Sequence, residues 1–176
     1  EQIDLLTDLL ASFGANARSG AMAQHLVNSV VPEKQQATTY QDNIFRDWGW
    51  QTGENQVHSE LVKKVLPDAQ GLKVAVLGSG GSRLAYDLHQ AWQPEFTLAI
   101  DFNPMLLLAA KRIIRGGEVP IYEFPMSPLS LEDSSIRHRL HCDKALYEGS
   151  FCFLFGDASA PPVKDKSLDV VITPWF

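Results

Sequence analysis

Apolar positions along the chain fall first at helical spacing and then at strand spacing. Ile3, Leu5, Leu6, Leu9, Leu10 and Phe13 share a helical face that Gly14 ends, and Ser19 can cap a second helix through Met22, Leu26, Val27 and Val30, stopped at Pro32. After a polar connection at 33–38, a third helix is expected from Thr39 through Tyr40, Ile44, Phe45 and Trp48. A fourth starts near Thr52 and runs through Val57, Leu61, Val62, Val65 and Leu66 to Pro67. The period then changes. Residues 73–77 are a short apolar run closed by Gly78, 82–92 return to helical spacing, and 96–100 are apolar again. Asn103-Pro104 reads as an N-cap and first helical position, opening a helix through Leu107, Ala110 and Ile114 to Gly116-Gly117. Residues 151–155 and 168–173 are two further strands.

Near-continuous apolar strands alternating with helices predict an α/β fold. The expected architecture is a Rossmann-like parallel sheet covered on both faces, with right-handed crossovers. A helical segment, 1–67, precedes this sheet domain, 68–176. Residues 118–150, rich in Pro, Ser, His and Arg, exceed what a βαβ link needs; a connection of that length is more often functional or mobile than structural.

Composition narrows the function classes. The 176 residues are 45% hydrophobic and 20% charged, ordinary for a soluble globular domain. A net charge of −6 without a dense Lys/Arg run argues against a nucleic-acid partner, whose phosphates demand cations. No apolar run reaches the roughly 18 residues that span a membrane, and no signal-peptide pattern opens the chain. Cys142 and Cys152 form neither CxxC nor CxxxC, so reduced thiols in a cytoplasmic setting are the simpler reading.

Chemistry concentrates at the strand ends. Gly78-Ser79-Gly80-Gly81 lets the backbone turn off the first strand and approach a ligand where a Cβ would collide. The helix that follows presents free N–H groups at its start. In dinucleotide enzymes a pyrophosphate sits there, but the G-x-G-x-x-G spacing is not kept, because Arg83 stands in the third position. Asp101, ending the second strand, can accept hydrogen bonds from two ribose hydroxyls. The alternative for Asp101 is a helix cap, a role that Asn103 fills better. After the third strand, Asp157 can accept from an exocyclic amino group such as that of adenine, with Ala158 as an apolar surface for the base. Trp175 and Phe176 are either core residues or aromatic faces for a cation such as a sulfonium.

Taken in order, VLGSGG, AIDFNP, FGDA and DVVITPWF resemble the motif series of class I S-adenosylmethionine (SAM)-dependent methyltransferases over residues 70–176. One departure is Val76, where family members often carry an acid. Asn43-Ile44-Phe45-Arg46-Asp47-Trp48, the glycine loop with Ser82-Arg83-Leu84-Ala85, and the Pro-containing insertion are similar to the carnosine N-methyltransferase family, which methylates an imidazole nitrogen of histidine-containing small molecules. That resemblance implies SAM as cofactor and a small-molecule methyl acceptor, with no nucleic-acid or membrane partner. It places Asn43, Arg46, Gly78, Gly80, Asp101, Asp157, Ala158 and Pro174 on the cofactor. Arg46 would pair with the methionine carboxylate; its alternative is an ion pair with Asp42 or Asp47. Asn43 replaces Gln, Ala158 an aromatic and Pro174 a Cys of the family pattern. No catalytic residue is assigned.

Four strands are readable where a complete sheet of this class has more, and the first residue is Glu1 rather than Met. The domain is therefore expected either to be incomplete at its C-terminus or to be a shortened relative that pairs with something else. Three rival readings remain. One is a non-catalytic binding or scaffold module that keeps the fold, and another is an NAD-dependent oxidoreductase. The third is a metal site at His138, His141, Cys142 and Asp143, whose spacing matches no established pattern.

Overall fold

The computed structural model describes residues 39–50, 52–147 and 149–174. The helices expected within 1–31, the connection at 33–38 and the aromatic pair Trp175 and Phe176 lie outside the described residues. In chain order the elements are α1 (Thr39–Trp48), α2 (Glu54–Val65), β1 (Lys73–Leu77), α3 (Arg83–Trp92), β2 (Phe96–Asp101), α4 (Pro104–Ile114), β3 (Val119–Glu123), β4 (Ile136–Leu140), β5 (Phe151–Phe155) and β6 (Val170–Ile172). A 3-10 turn, Glu132–Ser134, precedes β4.

The apolar runs become one four-stranded parallel sheet in the order β5-β2-β1-β6, a Rossmann-like arrangement. Period-two alternation divides its side chains between two faces. Val74, Val76, Ala99 and Phe151 turn to the helical layer. There α1, α3 and α4 bring Ile44, Tyr86, Ala109 and Ile113 into one core with Val76, Ala99 and Phe151. Phe151 and Ile44 have no exposed surface, each stabilising the fold by about 1.5–3 kcal/mol. On the other face, Ala75, Leu98 and Ile100 meet Val163 and Leu168 of the loop between β5 and β6. That crossover carries no helix, so among the described residues this face of the sheet is covered by a loop.

Helix ends follow the sequence signals. Asn103 Oδ1 accepts from the N–H groups of Met105 at 3.0 Å and Leu106 at 3.4 Å, and Pro104 needs no partner at the first position. β6 is shorter than expected because it pairs with β1 only from Val74 to Val76. Below that, the Asp169 side chain takes over, accepting from Lys73 N at 2.8 Å.

The 118–150 stretch is neither a simple link nor featureless. It holds an antiparallel hairpin, β3 with β4, whose tip exposes Phe124, Met126, Leu129 and Leu131. Its return is fastened to the helical layer. Tyr86 Oη donates to Lys144 O at 2.9 Å, Leu146 N donates to Ile114 O at 2.8 Å, and Arg115 spans Leu146 O and Phe151 O at 2.6 and 2.7 Å.

His89, buried between α3 and β2, places Nδ1 2.9 Å from Thr97 Oγ1 and its ring edge-on to Phe151. Burial holds its pKa below the ordinary 6.5, and Arg115 pushes the same way. The unfolded chain therefore takes up a proton that the native chain refuses. The stability associated with a neutral His89 is intact above about pH 6.5 and is lost as pH falls from there toward the lower native pKa. Urea midpoints measured from about pH 7.5 to about pH 5 should decline less steeply for His89→Gln than for the wild type. Parallel declines would place the titration elsewhere.

Candidate functional site

The carboxyl ends of four strands form a row. From one side to the other it presents Gly156-Asp157 after β5, Asp101 ending β2, the glycine loop after β1, and Pro174 after β6. At a strand spacing of about 4.8 Å, the row spans about 14 Å.

Asp101 is the centre of this edge. Its Oδ2 accepts from Gly80 N and its Oδ1 from Asn103 N, both at 2.8 Å, and its backbone carbonyl accepts from Gly156 N at 3.1 Å. One residue thus joins the glycine loop, the second strand end and the third. Burial pushes its carboxyl pKa above the usual value, opposed by the N–H groups of Asn103, Gly80 and Phe102. A carboxylate has about four lone-pair sites; beside its bonds to Gly80 N and Asn103 N, Asp101 keeps acceptor capacity for a ligand hydroxyl. Gly78 and Gly80 have φ of 63° and 54°, a backbone that side chains rarely adopt. The loop bend therefore depends on them.

Asp157 is partly exposed. Both bonds it accepts, from Ser159 N at 2.8 Å and Ser159 Oγ at 2.6 Å, go to Oδ1. These bonds hold its pKa below the usual carboxylate value, so it is ionised at neutral pH. Among the described residues, Oδ2 accepts nothing. Ala158, half-buried, follows it in the turn.

On the far side of the row, Arg46 and Pro174 line one small hollow with Asp47, Glu54, Asn55, His58, Val76, Ser79 and Leu84. Its volume is about 20 Å³, room for a water rather than an amino-acid tail. Arg46 donates to Asp47 Oδ1 from Nε at 3.3 Å and Nη2 at 3.2 Å. The ion pair weighed as its alternative is therefore present. Asn43 lies half-buried on the same helix.

Asp47, named in the sequence only as an ion-pair partner for Arg46, has a second role. It is buried, and the N–H groups of Gly81 and Arg83 stabilise its carboxylate alongside Arg46. Burial outweighs these partners and raises its pKa. Asn55 Nδ2 donates to the Asp47 carbonyl at 3.0 Å, and Trp48 Nε1 donates to Gly81 O at 2.7 Å. Helix α1 is thereby bolted onto the glycine loop. No local pattern signals this, because the contact joins segments more than thirty residues apart.

An open groove of about 600 Å³ lies at the opposite, amino edge of the sheet, lined by Lys73, Glu95, Phe96, Val163, Lys164 and Leu168. It is the gap left under the helix-free crossover, and none of the anticipated site residues reaches it. Among the described residues no three His, Cys, Asp or Glu side chains converge as metal ligands. His138 instead bonds Glu123 Oε2 at 2.8 Å and packs on Phe45. No helix among the described residues is long and apolar enough to cross a membrane.

Set against known proteins, the chain matches no family model and no curated protein.

Proposed function

We propose that the carboxyl edge of the sheet binds S-adenosylmethionine and that the protein transfers its methyl group to a nitrogen of a small molecule, an imidazole nitrogen by the resemblance noted above. The observation that carries this reading is Asp101: one buried carboxylate at the end of β2, bonded to Gly80 N and backed by Gly156 N. A ribose above the loop would give its two hydroxyl hydrogens to Asp101, and Asp157 Oδ2 would accept from the adenine amino group. Gly78 and Gly80 keep the loop low enough for the sugar to approach. The methionine end would lie toward Arg46 and Pro174. There the hollow must widen, with the Arg46 fork turning part of its charge from Asp47 to the ligand carboxylate.

When bound, the sulfonium supplies an activated methyl group to an attacking nitrogen. The chain's share is to hold donor and acceptor in line, which can lower such a barrier by several kcal/mol. A neutral imidazole brings its own lone pair, so no side chain need remove a proton first. Isothermal titration with SAM tests the reading. Saturable binding is expected, with no response to NADH. Silence toward SAM, or saturable binding of NADH, would overturn it.

A further inference from the structure

The start of α3 is where a nucleotide-binding sheet of this kind would receive a phosphate, because its N–H groups lack partners within the helix. Here that place is taken. The Asp47 carboxylate, delivered by α1, is stabilised by the N–H groups of Gly81 and Arg83. It lies so close to the loop that a Cβ built on Gly81 would stand 2.6 Å from Oδ2. Trp48 Nε1 on Gly81 O and Asn55 Nδ2 on Asp47 O fix the helix that presents it. Ser82, whose hydroxyl could have capped α3, makes no side-chain cap; it sits fully buried with φ of 59° and bonds Ser79 Oγ at 3.3 Å. Arg83 turns away too, pairing with Asp87 at 2.9 Å and stacking over Trp48.

We infer that Asp47 is a specificity-determining residue, an internal anion seated on the α3 N-terminus that closes the glycine loop to phosphate-bearing ligands. The inference builds on the reading of this edge as an adenosine slot but does not need the ligand to be SAM. A phosphate approaching the loop meets Gly80 N already bonded to Asp101 and Ser82 N to Ser79 O, with the Asp47 carboxyl group packed against Gly81 in its way. A ligand whose adenosine continues into an uncharged or cationic group at that point meets neither penalty. The same carboxylate explains why the loop keeps glycine at 81 while Arg83 stands where dinucleotide loops want a third glycine. The space there belongs to α1, and no pyrophosphate needs it.

The test is a gain of binding, which structural damage does not produce. Adenosine diphosphate is titrated into the wild type and into Asp47→Ala, with folding checked by circular dichroism and SAM titrated in parallel. Asp47→Ala should bind the diphosphate at least tenfold more tightly than the wild type. A folded Asp47→Ala with no gain overturns the inference. In the wild type, the amide resonances of Gly81 and Arg83 should stay in place as the diphosphate is added; a saturable shift there overturns it without recourse to any variant. If SAM fails to bind while Asp47→Ala gains the diphosphate, the inference stands and the methyltransferase reading falls.

Discussion

An Asp101→Ala variant should bind S-adenosylmethionine at least about 100-fold more weakly than the wild type. A hydrogen bond to a charged group contributes about 1.5–3 kcal/mol, and two ribose hydroxyls would share this carboxylate. The substitution also strands Gly80 N and Asn103 N, which the carboxylate holds at 2.8 Å, so the loop loses its anchor in the same step. Asp101→Asn separates the two effects. It keeps one acceptor but turns an N–H against a backbone N–H, and an intermediate loss is expected. Protonation offers a second handle. Because burial raises the Asp101 pKa, affinity should fall with decreasing pH through a value above 3.8, and this dependence should vanish in the Asn variant. Isothermal titration across pH measures both. Undiminished affinity in Asp101→Ala would remove the ribose assignment and, with it, the carrying observation.

Gly81→Ala should destabilise the fold by about 3 kcal/mol or more, at the upper end for an overpacked core. The new Cβ would lie 2.6 Å from Asp47 Oδ2 and 2.9 Å from Ile44 Cδ1. Neither neighbour has room to give way: Ile44 has no exposed surface, and Asp47 is buried and held by Arg46. Gly80→Ala supplies the contrast. Its nearest contact would be 3.6 Å away, so only its φ of 54° is at issue, a cost of about 1–2 kcal/mol. Urea unfolding of the two variants should therefore rank Gly81→Ala well below Gly80→Ala. The reverse order would mean that α1 does not pack on the loop as described.

How far the fold could be read from the sequence depended on whether the signal was local. The continuous apolar runs at 73–77 and 151–155 became β1 and β5 at those bounds, and Asn103-Pro104 opened α4 as its capping chemistry demanded. The hairpin escaped notice, although Val119 and Ile121 alternate inward with Pro120 and Tyr122. Pro120 interrupts the run and the partner strand, Ile136–Leu140, is mostly polar and exposed, so its pairing is fixed by tertiary contact. At the site, Gly78, Gly80, Asp101 and the start of the Asp157 turn were placed on one edge, because topology alone carries strand ends there. Arg46 was weighed between a ligand carboxylate and an ion pair with Asp42 or Asp47, and its guanidinium meets Asp47. Asp47 was legible only as a neighbour of Arg46; its burial against Gly81 depends on a segment far along the chain.

The Arg115 fork has a mechanical consequence. By holding Leu146 O and Phe151 O together, next to the backbone bond from Leu146 N to Ile114 O, it clips shut the base of the excursion that leaves after α4 and returns into β5. Whatever happens beyond the clip, whether the limb sways, lengthens or exchanges its apolar tip for another, is isolated from the strand that carries Gly156-Asp157. The limb can be remodelled while the edge it hangs beside keeps its alignment.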